Sequence, residues 1–161
     1  MAVDMFMKFT PEIKGESKDK THKDKIDVLA WSWGMSNSGS AHVGGGAGAG
    51  KVNVQDLSFT KYVDSATPGL MLATCNGKHY DEALLTVRKA GEHPVEYLKI
   101  KMTEVLITSL STGGSGGEDR LTENVSLNFA KVHVDYTPQD DKGKAGTPIP
   151  MFWDIAGNDK G

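Results

Sequence analysis

Apolar and polar residues alternate along much of this 161-residue chain, and the points where the alternation fails mark its bends and breaks. Residues 3–9 alternate weakly and read as an opening strand. Residues 28–35, VLAWSWGM, place Leu29, Trp31, Trp33 and Met35 on one face at period two, and Val28, Ala30, Ser32 and Gly34 on the other. Burying one tryptophan removes about 150–250 Å² from water, roughly 4–6 kcal/mol gross, so the heavy face is expected in the core and the small-residue face away from it. Residues 52–62, 84–89, 95–110, 125–136 and 149–155 are rich in Val, Leu, Thr and aromatic residues and predict five further strands. Val52 and Val54 share one parity but Leu57 and Phe59 take the other, and Val125, Leu127 and Phe129 give way to Val132, Val134 and Tyr136 in the same manner. Such slips predict β-bulges, and the 16-residue run from Val95 is long enough to predict a bend. One helix is expected at 68–76, capped by Thr67, opened by Pro68 and closed by Gly77, with Leu70, Met71 and Thr74 on its docking face. Many short strands and one short helix define an all-β barrel or sandwich in a single domain spanning residues 1–161.

Composition narrows the function classes. Lys and Arg total 18 against 21 Asp and Glu, and a net charge of −3 gives no positive field for general nucleic-acid binding or an anionic lipid surface. The longest apolar runs are far shorter than the roughly 20 residues a membrane span needs. The amino terminus carries Asp4 and Lys8 where a secretory signal needs an apolar stretch, so none is expected. Cys75, the single cysteine, allows no internal disulfide and no thiolate metal site, in keeping with folding in the cytoplasm. Residues 14–25, KGESKDKTHKDK, hold five Lys and three acids and are expected to form a solvated loop.

Candidate chemistry is sparse. Residues 38–52 place Gly45, Gly50 and Lys51 at phosphate-loop spacing, but Val52 stands where a Ser or Thr should hold magnesium, and a strand pattern follows where a helix is needed. His22, His42, His79, His93 and His133 are scattered, with no helical pair for a metal, and each reads as a loop or surface residue. Ser, His and Asp occur without a nucleophile elbow. No catalytic set, cofactor or metal site is therefore expected. Glycine is the excess residue, 19 of 161, and ten of these lie in 38–52 and 111–120, so long glycine loops are expected to serve function or assembly.

Four strings, KGESKDKTHKDKIDVLAWSWGMS, GKVNVQDLSFTKYVDSATPGLM, CNGKHYDEALLTVRKAG and STGGSGGEDRLTENVSLNFAKVHVDY, closely resemble the haemolysin-coregulated protein family, the tube protein of type VI secretion systems; they lie within residues 1–136. The resemblance implies a small β-barrel with one short flanking α-helix, six copies closing a ring, and rings stacking into a hollow tube similar to a phage tail tube. It implies partners too: a homohexamer, a trimeric spike protein, a contractile sheath whose contraction expels the tube, and small effector proteins chaperoned in the lumen. The protein would be made in the cytoplasm and secreted without a signal peptide. With a ring in view, the small-residue face of Ala30, Ser32 and Gly34 is expected to line the lumen, joined by Ser126 and Asn128. Subunit or ring-stacking contacts are expected from Ser38, Gly39, Ser40, His42, Gly44, Gly45, Gly46 and Gly48, then from Ala90, Gly91 and Glu92, and from Gly113, Gly114, Gly116 and Gly117.

The competing reading is a cytosolic β-barrel that carries a small ligand inside itself, which needs a hollow apolar interior. Leu, Ile, Val and Phe together make only 34 of 161 residues, too few for a packed core and a lined pocket together.

Overall fold

The computed structural model describes residues 2–39 and 51–161. Among them are ten strands and one helix: β1 (Val3–Thr10), β2 (Ile26–Asp27), β3 (Ala30–Ser32), β4 (Met35–Asn37), β5 (Val52–Val54), β6 (Leu57–Tyr62), α1 (Thr67–Asn76), β7 (His79–Lys89), β8 (Glu96–Gly113), β9 (Thr122–Tyr136) and β10 (Ile149–Asp154). Eight strands form one antiparallel sheet in the order β2-β1-β7-β8-β9-β6-β3, with β10 paired to β9. The sheet curls on itself. Residues 26–32 bridge its two ends, because β2 pairs with β1, Val28 N donates to Met5 O at 2.9 Å, Leu29 N donates to Thr60 O at 2.8 Å, and β3 pairs with β6. One short stretch of chain thus leaves one edge and lands on the other, which converts a strip with two exposed edges into a barrel.

Inward-facing residues fill this barrel. Met7, Phe9, Leu57, Leu85, Met102 and Leu127 are fully buried, and Phe59 nearly so. Each contributes about 1.5–3 kcal/mol by leaving water. Helix α1 adds Leu70 and Ala73 to the same cluster. Its amino-terminal cap position is Ala66 rather than Thr67, and its first turn is held differently from expectation: the Thr67 hydroxyl accepts Asp64 N at 3.1 Å and donates a very short hydrogen bond to Glu123. Gly77 does supply the left-handed exit at φ 68°, while Met71, expected on the docking face, is exposed.

The tryptophan stretch differs from a single alternating strand. The chain breaks after Ser32, and β4 and β5 pair as a separate two-stranded ribbon. Trp31 and Trp33 still pack against the core, Trp31 opposite Phe59 and Trp33 tilted on Phe129 at 6.0 Å between ring centroids. Leu29 and Met35, however, are exposed, and Val28 from the other parity is buried, because it sits where the segment crosses between β1 and β6. The parity slip at residues 52–59 likewise comes from a break between β5 and β6 rather than from a bulge.

The slip in β9 has a different cause. The pairs Thr103↔Lys131 and Val105↔Phe129 keep one register, so both strands change inward parity together at Glu104 and Ala130, and Glu104 has φ 57°. True register shifts lie elsewhere in β8, between Ile107 and Ser109 against β9, and opposite Val87 and Arg88 of β7. The 18-residue β8 is therefore one strand with irregularities along its length, which let it bend around the core.

Residues 14–25 form a loop with exposed lysines, as expected, but its other side is packed against the barrel. Gly15, Ser17 and His22 are buried, and Gly15 lies so close to the Lys25 backbone that a Cβ would stand 2.5 Å from the Lys25 oxygen. His22 stacks on Phe6 at 4.5 Å and bonds Glu96 at 2.6 Å and the Lys25 ammonium at 2.7 Å. Asp19 takes both Arg88 nitrogens, at 2.6 and 3.1 Å, and Arg88 also reaches Asp4 at 2.9 Å. Hydrogen bonds from the Arg88 guanidinium hold the Asp19 carboxyl well below the usual carboxylate range although burial opposes them, and the same bonds raise the Arg88 pKa. A string of charges looked solvated because its partners, Phe6, Arg88 and Glu96, are distant in sequence.

Candidate functional site: a polar wall of hydroxyls and amides

Where inward residues of β6 and β9 are Leu57, Phe59, Val125 and Leu127, period two sends Ser58, Thr60, Asn124 and Ser126 outward. Strand pairing then aligns these residues in rows. One row runs Ser32↔Ser58↔Ser126↔Ser109 across β3, β6, β9 and β8, and the next runs Ala30↔Thr60↔Asn124↔Ser111. Four strands at about 4.8 Å spacing make this surface roughly 14 Å wide. The hydroxyls and amides bond one another: Ser58 Oγ lies 3.0 Å from Ser126 Oγ, and Thr60 donates to Asn124 Oδ1 at 2.6 Å. Beside them, Asp56 Oδ1 accepts from Asn128 Nδ2 at 2.9 Å and its Oδ2 accepts from Thr108 at 2.8 Å. Thr108 is the extra residue at the β8 register shift, so the irregularity itself aims this hydroxyl at Asp56.

The structure brings Ala30, Ser32, Ser126 and Asn128 onto this one surface. Gly34 lies beyond the end of β3, where its carbonyl accepts Gln55 N at 3.0 Å and a Cβ would meet the Gln55 side chain. Ser58 and Thr60 were readable from the parity of Leu57 and Phe59. Asp56, Thr108 and Ser109 were not, because a strand break and a register shift place them.

Of the expected contact residues, Ser38 and Gly39 are exposed just past β4, while Ser40, His42, Gly44, Gly45, Gly46 and Gly48 lie outside the described residues. Ala90, Gly91 and Glu92 are exposed in the β7–β8 turn, and Gly113, Gly114, Gly116 and Gly117 are exposed where β8 ends and the chain turns toward β9. These two glycine-bearing turns stand at opposite ends of β8, whose 18 residues make roughly 60 Å of contour at about 3.3 Å each.

A second surface carries apolar groups. Between the β4–β5 ribbon and β10 lies a groove of about 390 Å³ lined by Trp33, Met35, Val54, Met151, Phe152 and Trp153 among others. Phe152 is 50% exposed and stacks on His133, and Ile149 is 61% exposed. The groove is on the outside. The barrel interior, which a ligand carrier would need hollow, is occupied by the core side chains. No helix of the described residues is long and apolar enough to cross a membrane.

The fold and this wall define a small packed β-barrel that presents contact surfaces rather than a cleft. The family model for the type VI secretion system effector Hcp matches residues 6–136, and the chain belongs to that family. It is a type VI secretion protein. It is 68% identical over 160 residues to protein hcp1 of Pseudomonas aeruginosa, covering 98% of each chain, so β10 lies inside that likeness although the family match ends at 136. Among solved structures, a type six secretion system protein superposes with TM-score 0.92 at 32% identity, covering 98% of this chain and 99% of that one. Hcp1 from Salmonella typhimurium gives TM-score 0.80 at 34% identity over 99% of both chains.

Proposed function

We propose that this chain is the subunit of a hexameric ring, that rings stack head to tail into the tube of a type VI secretion system, and that the polar wall faces the lumen and holds effector proteins. The observation that carries this reading is the division of the barrel surface: one wall of mutually bonded hydroxyls and amides, and an apolar groove between the β4–β5 ribbon and β10. An exposed strand edge with Ile149, Met151 and Phe152 is an aggregation hazard in a lone copy and a ready interface in a closed ring, so a second copy of the chain is its occupant. Glycine-bearing turns at both ends of β8 supply one contact patch per ring face, as head-to-tail stacking requires. The tube works by shape, without a covalent step; it leaves the cell when a contracting sheath drives it out behind a trimeric spike.

Size-exclusion chromatography with light scattering tests the ring. The expected mass is six subunits of 17.3 kDa, with annular particles in negative stain. A stable monomer at high concentration would overturn the reading.

A further inference from the structure

Several carboxylates elsewhere on the barrel are matched with cations: Asp4 and Asp19 with Arg88, Glu82 with Lys101, and Glu96 with Lys99 and His22. Asp56 is different. It lies on the polar wall, one parity step from Ser58, with both oxygens fixed by neutral donors, Asn128 and Thr108. Thr108 also reaches Ser126 O at 3.2 Å, which ties the carboxylate to the serine row. Among the described residues no Lys, Arg or His forms an ion pair with it. The two rows beside it, Ala30, Ser32, Ser58, Thr60, Ser109, Ser111, Asn124 and Ser126, carry no charge, while the row of its partner Asn128 runs through Leu106 to His79.

We infer that Asp56 makes the cargo-facing wall selective for cationic polypeptide, with the hydroxyls and amides around it contacting backbone and polar groups of whatever sequence passes. This rests on the lumen assignment above. In a closed ring the carboxylate recurs in every subunit, held in one direction and, among the described residues, without an ion-pair partner. A concave wall of this kind concentrates the field of one sign, and it attracts the opposite charge at short range once salt screens beyond about 10 Å. Neutral donors are suited to this arrangement, since they fix the carboxylate without cancelling its charge, whereas a lysine would do both.

The experiment uses purified rings and two labelled peptides of equal length, one of Lys, Ser and Gly and one of Glu, Ser and Gly, with binding read by fluorescence anisotropy. Wild-type rings should prefer the cationic peptide, and raising the salt should erase the preference. Asp56→Asn keeps the side-chain shape, and the Thr108 hydroxyl can turn to donate or accept; it should weaken binding of the cationic peptide about tenfold. Glu12→Gln, an equal charge change on an exposed residue off the wall, should leave binding unchanged. Ser32→Gln narrows the wall and should weaken binding of either peptide. Loss with Ser32→Gln but none with Asp56→Asn overturns the charge selectivity and leaves the lumen assignment standing. No effect of either removes both. If Asp56→Asn fails to assemble, the wild-type comparison still decides, because equal binding of the two peptides excludes selectivity.

Discussion

At the scale of single residues, the most exacting site is the buried pair of Lys61 and Glu123, both fully inaccessible to water. Lys61 Nζ lies 2.7 Å from Glu123 Oε1 and 2.8 Å from Asp64 Oδ1, and Thr67 adds its hydroxyl to the same carboxylate. Among the described residues Glu123 Oε2 has no hydrogen-bond partner, so this carboxylate depends on Lys61 for its compensation. Lys61→Met strands it and should cost about 3–5 kcal/mol in urea unfolding, whereas Lys61→Met with Glu123→Leu should recover most of that loss. The Arg88–Asp19 pair makes a pH prediction. Because the folded pKa of Asp19 lies below its unfolded value, the pair stabilises the protein above the unfolded value and is lost as pH falls toward the folded one. Asp19→Asn should therefore lower Tm at neutral pH, and thermal melts should show the gap to wild type narrowing only below about pH 4. Neither pair was legible in the sequence. Lys61 and Glu123 sit at inward positions of β6 and β9 next to apolar neighbours, and nothing local says that they meet. The outward direction of Ser32 was legible, since two tryptophans flank it at period two.

At the scale of elements, β8 shows how a strand bends without losing its partner. Glu104 adopts a left-handed backbone at φ 57°, a region that costs a residue with a Cβ about 1–2 kcal/mol, and more for a β-branched one. Glu104→Val should lower unfolding stability by about 1–2 kcal/mol while Glu104→Gly is tolerated, measured by denaturant titration. Sequence alternation located the defect to within a few residues, at Phe129 to Val132. It assigned the defect to β9 alone, as a bulge, because parity along one strand cannot reveal that the facing strand slips with it. The helix was read nearly to its ends for a local reason: Pro68 and Gly77 act on their own backbone. The packing of 14–25 was misjudged for the opposite reason, since every partner of that loop is remote.

At the scale of the whole molecule, the barrel separates its surfaces by chemistry, and the proposed ring rests on that separation. Phe152 is half exposed on β10, which among the described residues pairs with β9 alone. Phe152→Asp should leave the barrel folded, with the far-ultraviolet circular dichroism of wild type, and shift light-scattering mass from the ring toward the single subunit. A ring of full mass from this variant would place the interface elsewhere.

Period-two patterning, a proline, a glycine and the strings shared with a known family determined by themselves that the chain is mainly β, where its helix starts and stops, and which family it joins, because these are carried by neighbouring residues. Tertiary structure decided which strand lies beside which. It thereby decided that four serines far apart in sequence form one row, that Asp56 is held by the neutral donors Thr108 and Asn128, and that a lysine and a glutamate can lose all water. Those outcomes depend on register across strands, and register is set by the packing of the whole barrel rather than by any segment of it.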